Sequence, residues 1–260
     1  MAVEKARAIV IRTVPFGETS AVVTLCSREL GKVRALAKGA WRPKSSFDGG
    51  LDLLSTCQVL VLRRPNGGLD LLTEASLETR FRVGRSVAAV AAGMHVAELL
   101  DGLTADADPQ PDLFDVAHET LRECSGVEQD DHVAARLVQT ELAMLRIVGH
   151  APALDVCADC GAAIPDAGRT AFGLVDGGSL CGRCRGGRRL VISVSAAARA
   201  ALRRLAAAGA ERPDLPARVA GEVRGVMNGL LAHLLGRPLR AVAAFQPRRQ
   251  RHRPPHHPGS

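Results

Sequence analysis

The sequence predicts an α+β, multidomain chain: a small five-stranded barrel, then helices, with a four-cysteine module set into the helical part. Three observations carry this. Apolar and polar residues alternate with a period of two through roughly the first 70 positions, the pattern then changes to helical spacing, and two C-x2-C pairs interrupt the helical region. At 260 residues with 47% hydrophobic content, the chain is long enough for more than one core.

The alternation marks strands at 6–14, 21–27, 32–38, 56–63 and 69–73. Turns are expected at Pro15-Phe16-Gly17, at 28–31 and at Asn66-Gly67-Gly68, a hairpin signal. Five short strands in so few residues suit an oligonucleotide-binding (OB) fold. On the third strand the period of two sets Lys32, Arg34 and Lys38 on one face and Val33, Ala35 and Ala37 on the other. The stretch 39–47, GAWRPKSSF, then mixes cations with rings. Arginine and lysine neutralise phosphates while an exposed ring stacks on bases, although Trp41 and Phe47 are equally suited to plugging the barrel mouth.

From Glu74 the spacing reads as helical. Helices are expected at 84–103, at 111–124 with Pro111 in the first turn, at 130–148 before Gly149, from Ser195 as cap to about Gly209, and at 215–235 before Gly236. Between them lie Cys157, Cys160, Cys181 and Cys184, in a C-x2-C, x20, C-x2-C arrangement. Two residues between cysteines let both sulfurs reach one ion, and Gly161 and Gly182 are suited to the tight turns of such a knuckle. Four thiolates close the coordination shell, so one Zn2+ here is structural. The alternative, two unrelated redox or disulfide pairs, lacks a helix opening after a strand at either pair. The residues between the pairs, 164–180, suit a short hairpin. Cys26, Cys57 and Cys124 are expected as buried thiols.

The domain division that follows is 1–80 for the barrel, 81–153 and 191–246 for two parts of the helical domain, 154–190 for the zinc module and 247–260 for a basic, disordered tail. The first residues carry charges where a signal peptide has its apolar core, and no apolar run is long enough to span a bilayer, so a cytoplasmic, nucleoid-associated location without membrane contact is expected. The net charge of +7 favours an acidic partner. It is segregated: 98–131 is strongly acidic and should repel phosphate, whereas 1–50 and the acid-free run of arginines in 177–210 are basic.

Catalytic signatures fail. A deaminase needs H-x-E and P-C-x-x-C, but His118 and Glu119 are adjacent and Val156 precedes Cys157. No phosphate-binding glycine loop, H-E-x-x-H or G-x-S-x-G is present. His95, His132, His150 and His233 read as ordinary packed or surface residues. No enzyme is expected.

The chain resembles the RecO family, bacterial recombination mediators of DNA repair. The resemblance rests on Ile11-Arg12, Gly17-Glu18-Thr19-Ser20, Leu30-Gly31-Lys32, Ala37-Lys38-Gly39-Ala40 and Arg42-Pro43-Lys44-Ser45 in the family's order, with Trp41 where the family commonly has a basic residue. It implies binding of single- and double-stranded DNA, annealing of complementary strands, and work with RecR that helps RecA displace single-strand-binding protein. Charge alone agrees, and selects Arg12, Lys32, Arg34, Lys38, Arg42 and Lys44 for phosphates and Trp41 for stacking. Two rivals stay open: an interaction adaptor using the acidic helices and zinc module, and a zinc-ribbon transcription regulator using the arginines from Arg183 to Arg189.

Overall fold

A computed structural model describes residues 3–47, 49–64, 68–128, 133–207 and 215–241. The predicted turn at Asn66-Gly67-Gly68 lies largely outside them, as does the tail.

Strands β1 (Val3–Phe16), β2 (Ser20–Ser27), β3 (Gly31–Ala37), β4 (Thr56–Leu62) and β5 (Asp70–Thr79) form a closed barrel in the order β1-β2-β3-β5-β4. β3 and β5 pair in parallel and every other neighbour is antiparallel. The interior is filled from alternate positions by Ala8, Val10, Val23, Leu25, Ala35 and Val59 among others. β1 is buried on both faces, because Ile9 and Ile11 leave the barrel interior for the helical core. Between Val10 and Arg12 the pairing with β2 slips by one residue, a β-bulge. Strict alternation from Val10 would turn Arg12 into the barrel. The extra residue shifts the phase and leaves Arg12 exposed, with Thr13 opposite Val23.

β5 corrects the expected helical onset at Glu74. Residues up to Thr79 stay extended because they pair with β4, Leu60 opposite Glu74 and Cys57 opposite Leu77, with Ala75 in the barrel core. Tertiary pairing overrides a locally ambiguous pattern.

The helices are α1 (Val87–Leu103), α2 (Pro111–Cys124), α3 (Val133–Ile147), α4 (Ala196–Ala207) and α5 (Ala217–Leu234). α1 begins later than expected because Ser86 caps it, its Oγ accepting from the Ala89 amide at 2.9 Å. Ser195 caps α4 as predicted, accepting from Ala198 at 3.1 Å. Leu100, Leu113, Phe114, Leu145, Leu202 and Met227 centre the shared core. Inside it, His95 Nε2 of α1 lies 2.7 Å from Glu141 Oε1 of α3, and Arg224 of α5 donates to Glu141 Oε2 at 2.5 Å. Burial alone would raise the Glu141 pKa, but Arg224 and His95 outweigh it and hold the carboxyl below its ordinary range. His95 is thus packed, as expected, and Glu141 links it and Arg224 across three helices.

The cysteine segment carries a three-stranded sheet of β6 (Arg169–Gly173), β7 (Gly178–Leu180) and β8 (Val191–Ser195), ordered β7-β6-β8. β6 and β7 are the expected hairpin. β8 was not legible as a strand, and it runs directly into α4. Cys26, Cys57 and Cys124 are buried, and burial pushes the first two thiols up to about 12.

Candidate nucleic-acid interface and metal centre

The barrel packs against the helices through cations that meet carboxylates from the acidic stretch. Arg28 binds Asp115 in a bidentate pair at 2.9 Å, and Arg34 Nε lies 3.8 Å from Asp106. Arg7 donates to His118 Nε2 at 3.0 Å and pairs with Glu78, while the other His118 nitrogen meets Thr56 Oγ1 at 2.9 Å. Burial first, and then Arg7, lowers the His118 pKa, so the ring serves as a neutral bridge. This joint was not foreseen, since Arg7 and His118 are far apart in sequence.

Lys32 requires a correction. It does lie outside the barrel wall, but it is only 7% exposed: Nζ donates to the Asp101 carbonyl at 2.6 Å and sits 3.5 Å from its carboxylate. The Ala107 amide also bonds to the Lys32 carbonyl at 3.0 Å. Gly31 permits this approach, with φ of +71° and no space for a Cβ against the Asp108 backbone. Lys32 therefore fastens the barrel to the helical unit, and its ammonium is already partnered.

Arg34 is likewise met by Asp106, whereas Arg12, Lys38, Arg42 and Lys44 have no carboxylate at ion-pair distance among the described residues. Lys38, Arg42 and Lys44 are exposed on the β3–β4 connection, and Trp41 between them is 52% exposed. The loop is held in shape: Trp41 donates its amide to Thr19, Gly39 to Ser20 Oγ, and Ser45 Oγ donates to the Ala40 carbonyl. Gly39 and Lys44 both take positive φ. Phe47, by contrast, is 5% exposed and fills the barrel, so the two rings stand in opposite environments. Arg12 lies on a groove of about 760 Å³ together with Met94, Glu98, Asp101, Arg237 and Arg240. Cations on a fixed loop with an available indole face can hold phosphates and stack a base.

The four cysteine sulfurs all lie within 4.8 Å of one another, with Cys160 Sγ and Cys181 Sγ 3.8 Å apart. Tetrahedral Zn–S bonds of about 2.3 Å place sulfurs about 3.8 Å apart, so the cluster fits such an ion. Backbone turns shape both knuckles, Gly161 to Cys157 at 2.9 Å and Cys184 to Cys181 at 3.1 Å. Gly161 uses positive φ, whereas Gly182 does not. Amides of Cys160 and Cys181 stabilise the Cys157 thiolate and lower its pKa to about 6. Cys184 is shifted upward, first by the neighbouring Asp159 carboxylate.

The arginines of the supposedly acid-free run find acids elsewhere. Arg188 spans Asp159 at 2.7 Å and Asp176 at 2.8 Å, and Arg203 pairs with Asp155 and Asp166. Arg199 is fully buried, donating to the carbonyls of Leu154 and Pro165.

This architecture is a closed five-stranded, OB-like barrel joined to a helical unit that carries a four-cysteine cluster able to hold a metal ion. Residues 1–81 match the family model described as Recombination protein O N terminal, and residues 85–243 match Recombination protein O C terminal. Similar proteins include the DNA repair protein RecO of Rhodopirellula baltica, 43% identical over 211 residues that cover 80% of this chain and 76% of that one. The DNA repair protein RecO of Anaeromyxobacter dehalogenans is 35% identical over 91% of this chain and 93% of its own length, and that of Myxococcus xanthus 32% identical over 90% and 93%. The chain belongs to the RecO family of DNA-repair recombination mediators. Among the described residues, no helix is long and apolar enough to cross a membrane.

Replacing Lys32 by methionine is expected to lower unfolding stability by roughly 1–2 kcal/mol, since it strips a partially buried carbonyl and carboxylate of a charged donor. Denaturant unfolding checks this. The salt dependence of DNA binding should stay unchanged in the same variant, and a shallower dependence would return Lys32 to the DNA-contacting set.

Proposed function

We propose that the chain binds single- and double-stranded DNA without sequence preference, anneals complementary strands, and with RecR assists RecA loading on strands covered by single-strand-binding protein. The observation that carries the DNA contact is the loop where Lys38, Arg42 and Lys44 surround Trp41 with no carboxylate partner among the described residues. Family membership supports the partners. The work is done by binding, with no covalent step on the nucleic acid, and its place is the cytoplasm beside the nucleoid. Residues 1–80, 81–153, 154–190, 191–246 and 247–260 are our functional division, supported in part by the separate barrel, helical and cysteine-module cores.

Phosphate contact by the loop has a measurable signature. Each contact on a single strand contributes about 0.7 to the slope of log K against log salt. Exchanging Lys38, Arg42 and Lys44 together for glutamine should therefore lower that slope by about 2. An undiminished slope would remove the loop from the interface.

Cys157, Cys160, Cys181 and Cys184 hold one Zn2+ in this reading. The sulfur geometry supports it, and with four protein donors the ion supplies a cross-link and no site for water or substrate. Metal analysis of the purified protein is expected to find about one zinc per chain, released on thiol modification. Four freely reactive thiols and no bound metal would contradict the assignment.

A further inference from the structure

The cysteine module sorts its arginines into two groups. Arg169, Arg188 and Arg203 are tied to carboxylates, and Arg199 is buried on carbonyls. Of the arginines within 154–190, Arg183, Arg185 and Arg189 remain, all exposed, with no carboxylate at ion-pair distance among the described residues. They occupy one short turn leaving the second knuckle.

That turn is rigid by construction. The amides of Cys184 and Arg185 both bond to the Cys181 carbonyl at 3.1 Å. Arg188, in their midst, donates Nε to the Cys184 carbonyl at 3.2 Å while its other nitrogens grip Asp159 and Asp176. Arg183, Arg185 and Arg189 thus stand on a fixed turn whose flanking acids, Asp159 and Asp176, are taken by Arg188.

Two further features point outward. Gly182, Gly186 and Gly187 face open space, so a ligand's backbone can approach the turn closely. Leu190 takes φ of +53° although it is not glycine, and is 58% exposed beside Arg189. Its carbonyl accepts from the Leu174 amide at 3.0 Å, which fixes the end of the turn where β8 begins to pair with β6.

We propose that Arg183, Arg185 and Arg189 form a second phosphate-binding surface, which contacts the sugar-phosphate backbone of nucleic acid without reading sequence. Planar guanidiniums suit bidentate phosphate recognition, and the absence of aromatic rings in the turn separates it from the stacking loop on the barrel. The two surfaces lie on different sheets, so one chain can hold two strands or two parts of one strand. This deepens the DNA-binding reading above and rests on it.

Exchanging the three arginines for glutamine should reduce the salt slope for a long single-stranded oligonucleotide by about 2, and exchanging them for lysine should restore most of it. An unchanged slope in a glutamine variant, beside tight wild-type binding, overturns the second surface and leaves the barrel interface standing. Failure of the wild-type protein to bind at low salt removes both. A measurement on the unaltered protein guards against misfolding of the variants: mass-mapped phenylglyoxal modification with and without oligonucleotide. Protection of Arg183, Arg185 and Arg189 is the expected result. Equal modification in both conditions overturns the proposal, as does protection by polyglutamate but not by oligonucleotide, which assigns the turn to an acidic protein.

Discussion

Cations of this chain are either neutralised internally or left for an outside partner, and the acidic stretch that runs from the end of α1 through α2 decides which. Asp101, Asp106 and Asp115 meet Lys32, Arg34 and Arg28, so the side of the barrel facing the helices carries paired charge. An acidic helical unit does not repel DNA from the whole protein under this arrangement. It consumes the cations on one side and leaves Lys38, Arg42 and Lys44 as the free positive charge on the loop. Exposed ion pairs each contribute little to stability, typically below about 1 kcal/mol, so the selection matters more for where charge remains than for how tightly the fold is held.

Burial is what fixes the joint itself. Ile9, Ile11, Cys26 and Leu54 from the barrel enter the helical core, and the Arg7–His118–Thr56 contacts close the seam beside them. Apolar burial of this kind gives the association its strength, while the buried polar contacts fix its register. A similar division holds in the cysteine module, where Cys157, Ile164 and Leu180 make only a very small apolar cluster. A core that small needs a cross-link, and the four-sulfur cluster is shaped for one.

Local rules read much of this from the sequence. Period-two alternation located all five barrel strands, Pro111 marked the first residue of α2, and the cysteine spacing brought four sulfurs within reach of one ion. What escaped depends on residues distant in the chain. The bulge at Ile11 depends on pairing with β2, the extension of β5 to Thr79 on pairing with β4, and the strand character of β8 on β6. Lys32 read as a solvent-facing cation because alternation identifies the outer face of a barrel but not which part of that face another unit covers. The arginine run near the second knuckle read as uniformly free for the same reason, since the acids that bind Arg188 and Arg203 come from other segments.

The barrel loop is the proposed seat of nucleic acid, and the chain carries its own probe there: Trp41 is the single tryptophan. Its fluorescence, followed as single-stranded oligonucleotide is added at low and then moderate salt, tests the claim most directly. A saturable change at low salt that weakens steeply as salt rises is the predicted result. Absence of binding at low salt would contradict the claim, while tight binding with no response from Trp41 would remove the stacking contact alone.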